Sequence, residues 1–458
     1  MMIEVRNPRN PKIRRGEPAA RPRTVSAITF LLLAAALTAQ DVRPITLDEA
    51  VALTVENHRA LDAAQARVEA AEAVLAESRA ASGPSAGISG GYAYLSAVDE
   101  FSIPAPPPAT GTLVLNPSID HSYQIALSAR QPLYTGGRLT STRDAAQARA
   151  YAAREEWASQ RADLVLAASR AYWGLSRALE ERRVVDDDLA LVRAHLADVE
   201  RFLAEGMATV ADRLKVEARL SAVLFRRVAS DHAVQTASMA LADLAGLPLD
   251  AVLEPSTPLP VPAAPPLPAR DLAAGALEDR PELRALRLRA EAASAAVGIA
   301  RAERLPQVAL SARYLYGRPN PRIFPSEDRF EDTWDIGLGL SFDLWDGGAA
   351  ARRMDQAAAR VREAEAALAL ASDAVALEVR GALLALDEAL ALIGVAETGM
   401  RQAEEDLRVT RERFREGLAL NTEVLDSEMA LLEARLRHTQ ALAAHAIALA
   451  QLDRAVGR

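Results

Sequence analysis

The chain has 458 residues, half of them hydrophobic, so a sizeable core is possible and disorder is not the default. A net charge of -9 without any block of Lys and Arg after residue 23 argues against a nucleic-acid binder, because a phosphate backbone rewards clustered cations. With no cysteine there is no disulfide framework, thiolate zinc site, cysteine nucleophile or lipid-bearing cysteine.

At the start of the chain, Arg14, Arg15, Arg21 and Arg23 precede the apolar run VSAITFLLLAAALTA (25–39). That run is shorter than the roughly 20 residues a bilayer helix needs, and it closes on a small residue, Ala39. Residues 1–39 therefore read as a secretory signal peptide, the alternative being a hydrophobic helix that stays in place. The long stretch before the run leaves the true start codon and cleavage site open. Past residue 40 no 18-residue apolar run remains, so any membrane span of the mature chain must be made of strands.

The remainder is written twice. PLYTGGR (132–138) and DLWDGGA (343–349) share a Leu-aromatic-x-Gly-Gly phrase. One spacing aligns Pro84 with Pro306, Leu61 with Leu283, Tyr92 with Tyr314 and Tyr94 with Tyr316. A second aligns Gly136 with Gly347, Gly206 with Gly417, Asp212 with Glu423, Leu214 with Leu425 and Glu217 with Glu428. The first repeat, 40–246, is expected to hold a helix, strands at about 86–95 and 122–134, a long helix over 138–205 and a helix over 209–245. A linker with eight prolines, 247–270, is expected to be extended. The second repeat, 271–458, is expected to hold a helix, strands at about 307–316 and 333–345, a long helix over 349–416 and a helix over 421–456. Between the strands of each copy lies a Pro-rich insertion, 96–121 and 317–332, read as a loop.

Ala, Leu, Arg and Glu dominate the proline-free tracts, and a 68-residue helix rises roughly 100 Å, more than a compact domain needs. Each long helix ends at a glycine, in RFLAEGMATVADRL and RFREGLALNTEVLD, where Thr209 or Asn421 can cap the next helix. Down the last helix, Leu425, Met429, Leu432, Leu436, Thr439, Ala443, Ala446 and Ala450 trace a coiled-coil seam.

The four strand segments alternate. Trp334, Ile336, Leu338, Leu340, Phe342 and Leu344 oppose Asp335, Gly337, Gly339, Ser341 and Asp343, and six of the eight tyrosines fall in these segments. A half-buried sheet on a soluble core shows the same alternation. Strands long enough for a tilted bilayer crossing, with Gly and Ser opposite the apolar face, favour a membrane barrel. Four strands cannot close one, since about eight is the practical minimum, so the chain must oligomerise. His438 and His445 share a helix but lack a third ligand in a recognisable spacing, so no metal site and no cofactor are expected. No nucleophile triad, phosphate loop or dinucleotide fingerprint appears, and no enzyme is expected.

The tandem duplication, the Gly-Gly phrases and the Arg-Phe…Gly tips together resemble the TolC-like outer-membrane efflux proteins, across nearly all of the mature chain. The resemblance implies a mostly α, α+β fold. As a homotrimer its strands form a 12-stranded β-barrel in the outer membrane of a Gram-negative bacterium, continuous with a 12-helix α-barrel in the periplasm. It implies an exit duct of a tripartite efflux or type I secretion system, working with a periplasmic adaptor (membrane-fusion) protein and an inner-membrane transporter. Gly136, Gly137, Gly347 and Gly348 become the strand-to-helix hinges. Gly206, Met207, Ala208, Gly417, Leu418 and Ala419 become the adaptor-docking tips, although Phe202 to Gly206 is one residue longer than Phe414 to Gly417. Glu404, Glu405 and Asp406 then lie where relatives narrow the pore, and threefold symmetry would turn a lumen-facing acid into a cation-favouring ring. The other reading of these acids is a solvated helix face with pairs such as Glu404 with Arg408. Arg411, Arg413 and Arg415 are candidates for gate-closing salt bridges with the neighbouring helix. A different reading of the whole is a periplasmic coiled-coil scaffold or adaptor whose strands form a minor sheet.

Overall fold

The computed structural model describes residues 42–259 and 269–458, and the expected signal peptide lies outside the described residues. The first repeat contains β1 (Arg43–Ile45), α1 (Leu47–Asn57), α2 (Arg59–Ala80), β2 (Ser85–Tyr94), β3 (Phe101–Pro104), β4 (Thr112–Asn116), β5 (His121–Tyr134), α3 (Arg138–Ala204) and α4 (Val210–Leu244). After β6 (Leu253–Pro255) the second contains α5 (Ala269–Asp279), α6 (Pro281–Ala302), β7 (Gln307–Arg318), β8 (Glu331–Ser341), α7 (Ala349–Arg415) and α8 (Asn421–Val456).

One antiparallel sheet joins the two copies in the order β2-β5-β7-β8, leaving β2 and β8 as free edges. The long strand β5 pairs with β2 through Ile88 opposite Leu127 and with β7 through Leu127 opposite Tyr314. The last strand is shorter than the expected 333–345: the ladder begins at Gln307 opposite Ser341, and Pro306 before it has no N–H to extend the pairing to Phe342 and beyond.

Two helices of 67 residues, α3 and α7, run away from the sheet for about 100 Å each. Near the sheet α3 packs on α2 and α6, and α6 on α7. Farther down the contacts run α4 to α3, α3 to α8 and α8 to α7, so the helices lie side by side with α4 and α7 at the two ends. Alanines make close approach possible: Ala145, Ala146, Ala148, Ala150 and Ala152 of α3 are buried, and a Cβ at Gly298 of α6 would collide with Ser141. Because α8 has a neighbour on each side, it buries two stripes. Val424, Leu431, Ala441 and Ala448 form one that the expected seam omitted, while Met429 of that seam stays exposed.

The linker is partly docked, and α5 begins within its expected range, at Ala269. Its Leu253–Pro255 pairs in parallel with Arg43–Ile45, and Ile45 and Leu253 are buried against Tyr172, Trp173 and Leu241. The Tyr172 hydroxyl donates to Ile45 O at 3.1 Å and accepts from Thr257 N at 2.8 Å, so a tyrosine of α3 pins both ends of this clasp. Leucine and valine inside a Pro-rich tract are the reason it docks: burying them offsets the cost of ordering the chain. The first insertion also differs from a plain loop, since β3 and β4 form a hairpin within it. A buried arginine ties the repeats together farther along: Arg454 of α8 bonds Asp163 of α3 at 2.7 Å, and within its own repeat Glu282 of α6 at 3.3 Å.

Candidate functional site

The sheet has two chemically different faces. Ile88, Tyr92 and Tyr94 of β2, Tyr123, Ile125 and Leu127 of β5, Leu310, Tyr314 and Tyr316 of β7, and Trp334, Ile336, Leu338 and Leu340 of β8 share one face, and all are exposed. Among the described residues no helix covers them. Aromatic rings collect at the loop end of that face: Tyr92 and Tyr123 lie 5.1 Å apart, and Phe330 stacks on Tyr316 at 5.2 Å. Tyr134, Phe342 and Trp345 stand exposed near the helical end. Apolar residues between two aromatic collars, on strands of 10, 14, 12 and 11 residues, are what a bilayer-crossing sheet presents to lipid. The opposite face carries Gly87, Ser89, Ser128, Ser311 and Gly337, with Arg313 facing Asp335.

Each Gly-Gly pair ends a strand and starts a long helix with both residues in the left-handed region, φ 63° and 87° at Gly136 and Gly137, and 69° and 87° at Gly347 and Gly348. Only glycine adopts these angles without strain. At the second hinge Asp346 accepts from Gly348 N at 2.9 Å and Ala350 N at 2.6 Å, satisfying donors at the start of α7. At the first, Thr135 Oγ1 accepts more loosely from Leu139 N at 3.4 Å.

At the far end, Gly206 and Gly417 close α3 and α7 with φ 78° and 74°. Thr209 caps α4 with a reciprocal capping box: Asp212 N donates to Thr209 Oγ1 at 3.2 Å, and Thr209 N to Asp212 Oδ2 at 3.1 Å. The hydrogen bond from the Thr209 hydroxyl holds the Asp212 carboxyl below its usual range. Asn421 does not cap α8. It is the first helical residue, it is buried, and its Nδ2 donates to Asp212 O at 3.2 Å, so it cross-links the two tips. The cap acceptor is Glu423, which takes the Leu420 N–H at 3.0 Å. Met207, Leu418 and Leu420 are exposed, and Met207 and Leu420 line a groove of about 310 Å³ between the tips.

Above the tips, the candidate constriction residues divide. Arg408 bonds Glu405 at 2.6 Å and Glu412 at 2.8 Å on an exposed face, and its hydrogen bond to Glu405 holds that carboxyl low. Glu404 does not pair with Arg408: it reaches across to Arg435 of α8 at 3.1 Å. Asp406 accepts from Ser427 of α8 at 2.6 Å, and Arg413 donates to Leu418 O at 3.1 Å. Arg411 turns inward to Glu428 of α8 at 2.9 Å, and the same carboxylate oxygen meets His195 Nδ1 of α3 at 3.1 Å. Glu428 is fully buried, so one carboxylate joins α3, α7 and α8. Two turns above His195 on the same wall, Asp188 receives Arg219 of α4 at 3.0 and 3.2 Å. Burial pushes the Asp188 carboxyl up to about 6 against the pull of Arg219, with Glu428 adding to the rise.

A family profile described as outer membrane efflux protein matches residues 51–247 and 272–458, one match for each repeat. The chain belongs to the outer membrane efflux protein family. Among curated proteins none matches it. Solved structures do share its fold: the outer-membrane channel OprN (21% identity, 90% of this chain and 89% of that one, TM-score 0.75) and the outer membrane protein VceC from Vibrio cholerae (22%, 90% and 96%, 0.73). CusC, described through its transmembrane channel formation, is similar too (18%, 90% and 92%, 0.76).

In this outer membrane efflux protein the sequence singled out the hinges and tips, but it missed His195, Glu428, Asp188 and Arg219. A signal was present. Glu428 stands four after Val424 and three before Leu431, a carboxylate inside an apolar stripe, which demands a buried partner. Among the described residues no helix is long and apolar enough to cross a membrane, and no group of three or more His, Asp or Glu is placed to hold a metal ion.

Proposed function

We propose that the chain is the exit duct of a tripartite efflux or type I secretion system in a Gram-negative outer membrane. It acts as a homotrimer with a periplasmic adaptor and an inner-membrane transporter, and it carries small molecules or polypeptides across periplasm and outer membrane. The observation that carries this reading is the uncovered apolar sheet face fused through glycine hinges to helices of about 100 Å. Lipid satisfies such a face and water does not.

Oligomerisation follows from the edges. The sheet ends in β2 on the first-repeat side and β8 on the second, and the helical layer ends in α4 and α7 in the same sense. Joining one copy's β8 edge to the next copy's β2 edge is a head-to-tail contact, which repeats until it closes. Three copies give twelve strands, enough for an open lumen lined by the Gly, Ser, Arg313 and Asp335 face. The exposed tip residues Gly206, Met207, Ala208, Gly417, Leu418 and Ala419 are then the adaptor's docking surface. Of Glu404, Glu405, Asp406, Arg411 and Arg413, Glu405 is the one whose charge is exposed with only Arg408 beside it, while Glu404, Asp406, Arg411 and Arg413 tie α7 to its neighbours.

A periplasmic scaffold would leave this sheet face in water, and nothing among the described residues covers it. Envelope fractionation of cells expressing the full chain tests the choice. Recovery in the outer membrane, soluble only with detergent, is expected; a soluble periplasmic protein would overturn the duct.

A further inference from the structure

The two edge helices carry matching apolar stripes. On α4, Leu214, Phe225, Val228 and Met239 are exposed along the side turned away from α3, which is held by Val216, Val223 and Leu241. On α7, Val409, Val395, Leu384, Leu377 and Leu370 are exposed along one line. Beside Val395 lies a mostly apolar groove of about 390 Å³, lined by Leu392 and Gly399 of α7 and by Ala434, Ala441 and Ala444 of α8, with Arg437 and Gln440 of α8 as its polar side. Phe225 is 77% exposed, the largest apolar knob on α4.

Heights along the helices can be compared because the four helices are tied level. Asn421 joins the tips, Arg227 of α4 meets Asp186 of α3 at 2.7 Å, His195 of α3 meets Glu428 of α8, and Arg435 of α8 meets Glu404 of α7. At 1.5 Å per residue from the tips, Leu214 stands at about 8 Å and Val409 at about 10 Å. Phe225 stands at about 24 Å and Gly399 at about 26 Å, with Val228 and Val395 both near 30 Å. Met239 at about 45 Å meets Leu384 at about 48 Å. Rotation about an axis along the helices preserves height, so stripes that match level for level suit a closed ring and not a climbing filament.

Building on the homotrimer proposed above, we infer that Phe225 of one copy seats in the groove beside Val395 and Gly399 of the next. It is the central knob of an α4-to-α7 seam that runs Leu214 to Val409, Phe225 to Gly399 and Met239 to Leu384. The missing side chain at Gly399 is what makes room for the ring, and a Cβ there meets nothing within 4 Å inside the copy.

The cysteine-free chain makes the test direct. Phe225→Cys is combined in turn with Gly399→Cys, Val395→Cys and Leu370→Cys, the last about 69 Å above the tips. Each variant is extracted in detergent, its mass is measured, and it is then oxidised and run without reductant. A disulfide needs Cα atoms within about 7 Å, so trimeric material should link covalently through Gly399→Cys or Val395→Cys and stay unlinked with Leu370→Cys. Phe225→Cys alone should give no dimer, because the contact is head-to-tail. Trimers that fail to link at both nearby positions, or that link as well at Leu370→Cys, would overturn the seam while leaving the duct standing. A Phe225→Cys dimer would overturn it through an isologous contact. A monomeric mass would overturn the homotrimer itself.

Discussion

Glu217 and Glu428 occupy the same place in the two repeats, eight residues into the helix that follows each tip, and live in opposite surroundings. On α4 the Glu217 side chain is 43% exposed, with Arg213 one turn away at 3.5 Å. On α8 the Glu428 side chain is 0% exposed and holds His195 and Arg411 together. The difference is one of address: along its length α4 packs within its copy mainly against α3, whereas α8 packs against both α3 and α7. Duplication supplied equivalent helices, and the order α4-α3-α8-α7 decided which of them became interior.

The hinges repeat the lesson. A Cβ at Gly136, between the interior strand β5 and α3, would come within 2.7 Å of Leu305 Cβ and 3.0 Å of Ala302 O. A Cβ at Gly347, on the free edge, meets nothing within 4 Å of its own copy.

The largest predicted contrast breaks the first pair. Glu428→Ala leaves His195 and Arg411 facing an empty site and should cost about 4 kcal/mol, whereas Glu217→Ala should cost under about 0.5 kcal/mol, both read by chemical unfolding in detergent. Equal costs would mean that the neighbouring copy buries Glu217 as deeply. Next comes the hinge pair. Gly136→Ala combines left-handed strain with overpacking, about 3 kcal/mol, and Gly347→Ala the strain alone, about 1 kcal/mol; thermal unfolding of the two variants checks the ratio.

A smaller effect is read by pH. The folded-state pKa of Asp188, about 6, lies above its ordinary value of 3.8, so the folded chain keeps a proton that the unfolded chain gives up between those values. The contribution of this group is fully present below 3.8 and is lost as pH rises through 6. Stability of the wild type relative to Asp188→Asn should therefore fall by about 1–2 kcal/mol from pH 4 to pH 7, measured as paired unfolding midpoints. Asp212, held low by Thr209, has the opposite sign: its contribution is lost as pH falls. The smallest contrast lies at the caps, where Thr209→Ala should cost about 1 kcal/mol and Leu420→Ala, whose side chain caps nothing, almost none of that. Urea unfolding monitored by helical signal distinguishes them.

Much of the architecture was legible in the residues. The Gly-Gly phrases, the long proline-free tracts and the strict alternation at Trp334 to Leu340 are local patterns, and local patterns are what periodicity reads. What escaped was set by neighbours distant in sequence. Glu404 looked paired with Arg408 by helical spacing, yet Arg435 lies nearer across the helix pair. Asn421 looked like a cap and became a cross-link to Asp212, because the two tips meet. Leu253 looked like linker until β1 arrived beside it. His195 gave no local signal at all, since its partner Glu428 is 233 residues away.

The mass of the species extracted from the outer membrane tests the central claim most directly. Native mass spectrometry of the detergent-solubilised protein should give three copies of the mature chain, with the β2 and β8 edges and the α4 and α7 stripes all satisfied by neighbours. A monomer that is stable in water without detergent would contradict the account, because it would show that the uncovered sheet face and both open edges need neither lipid nor a second copy.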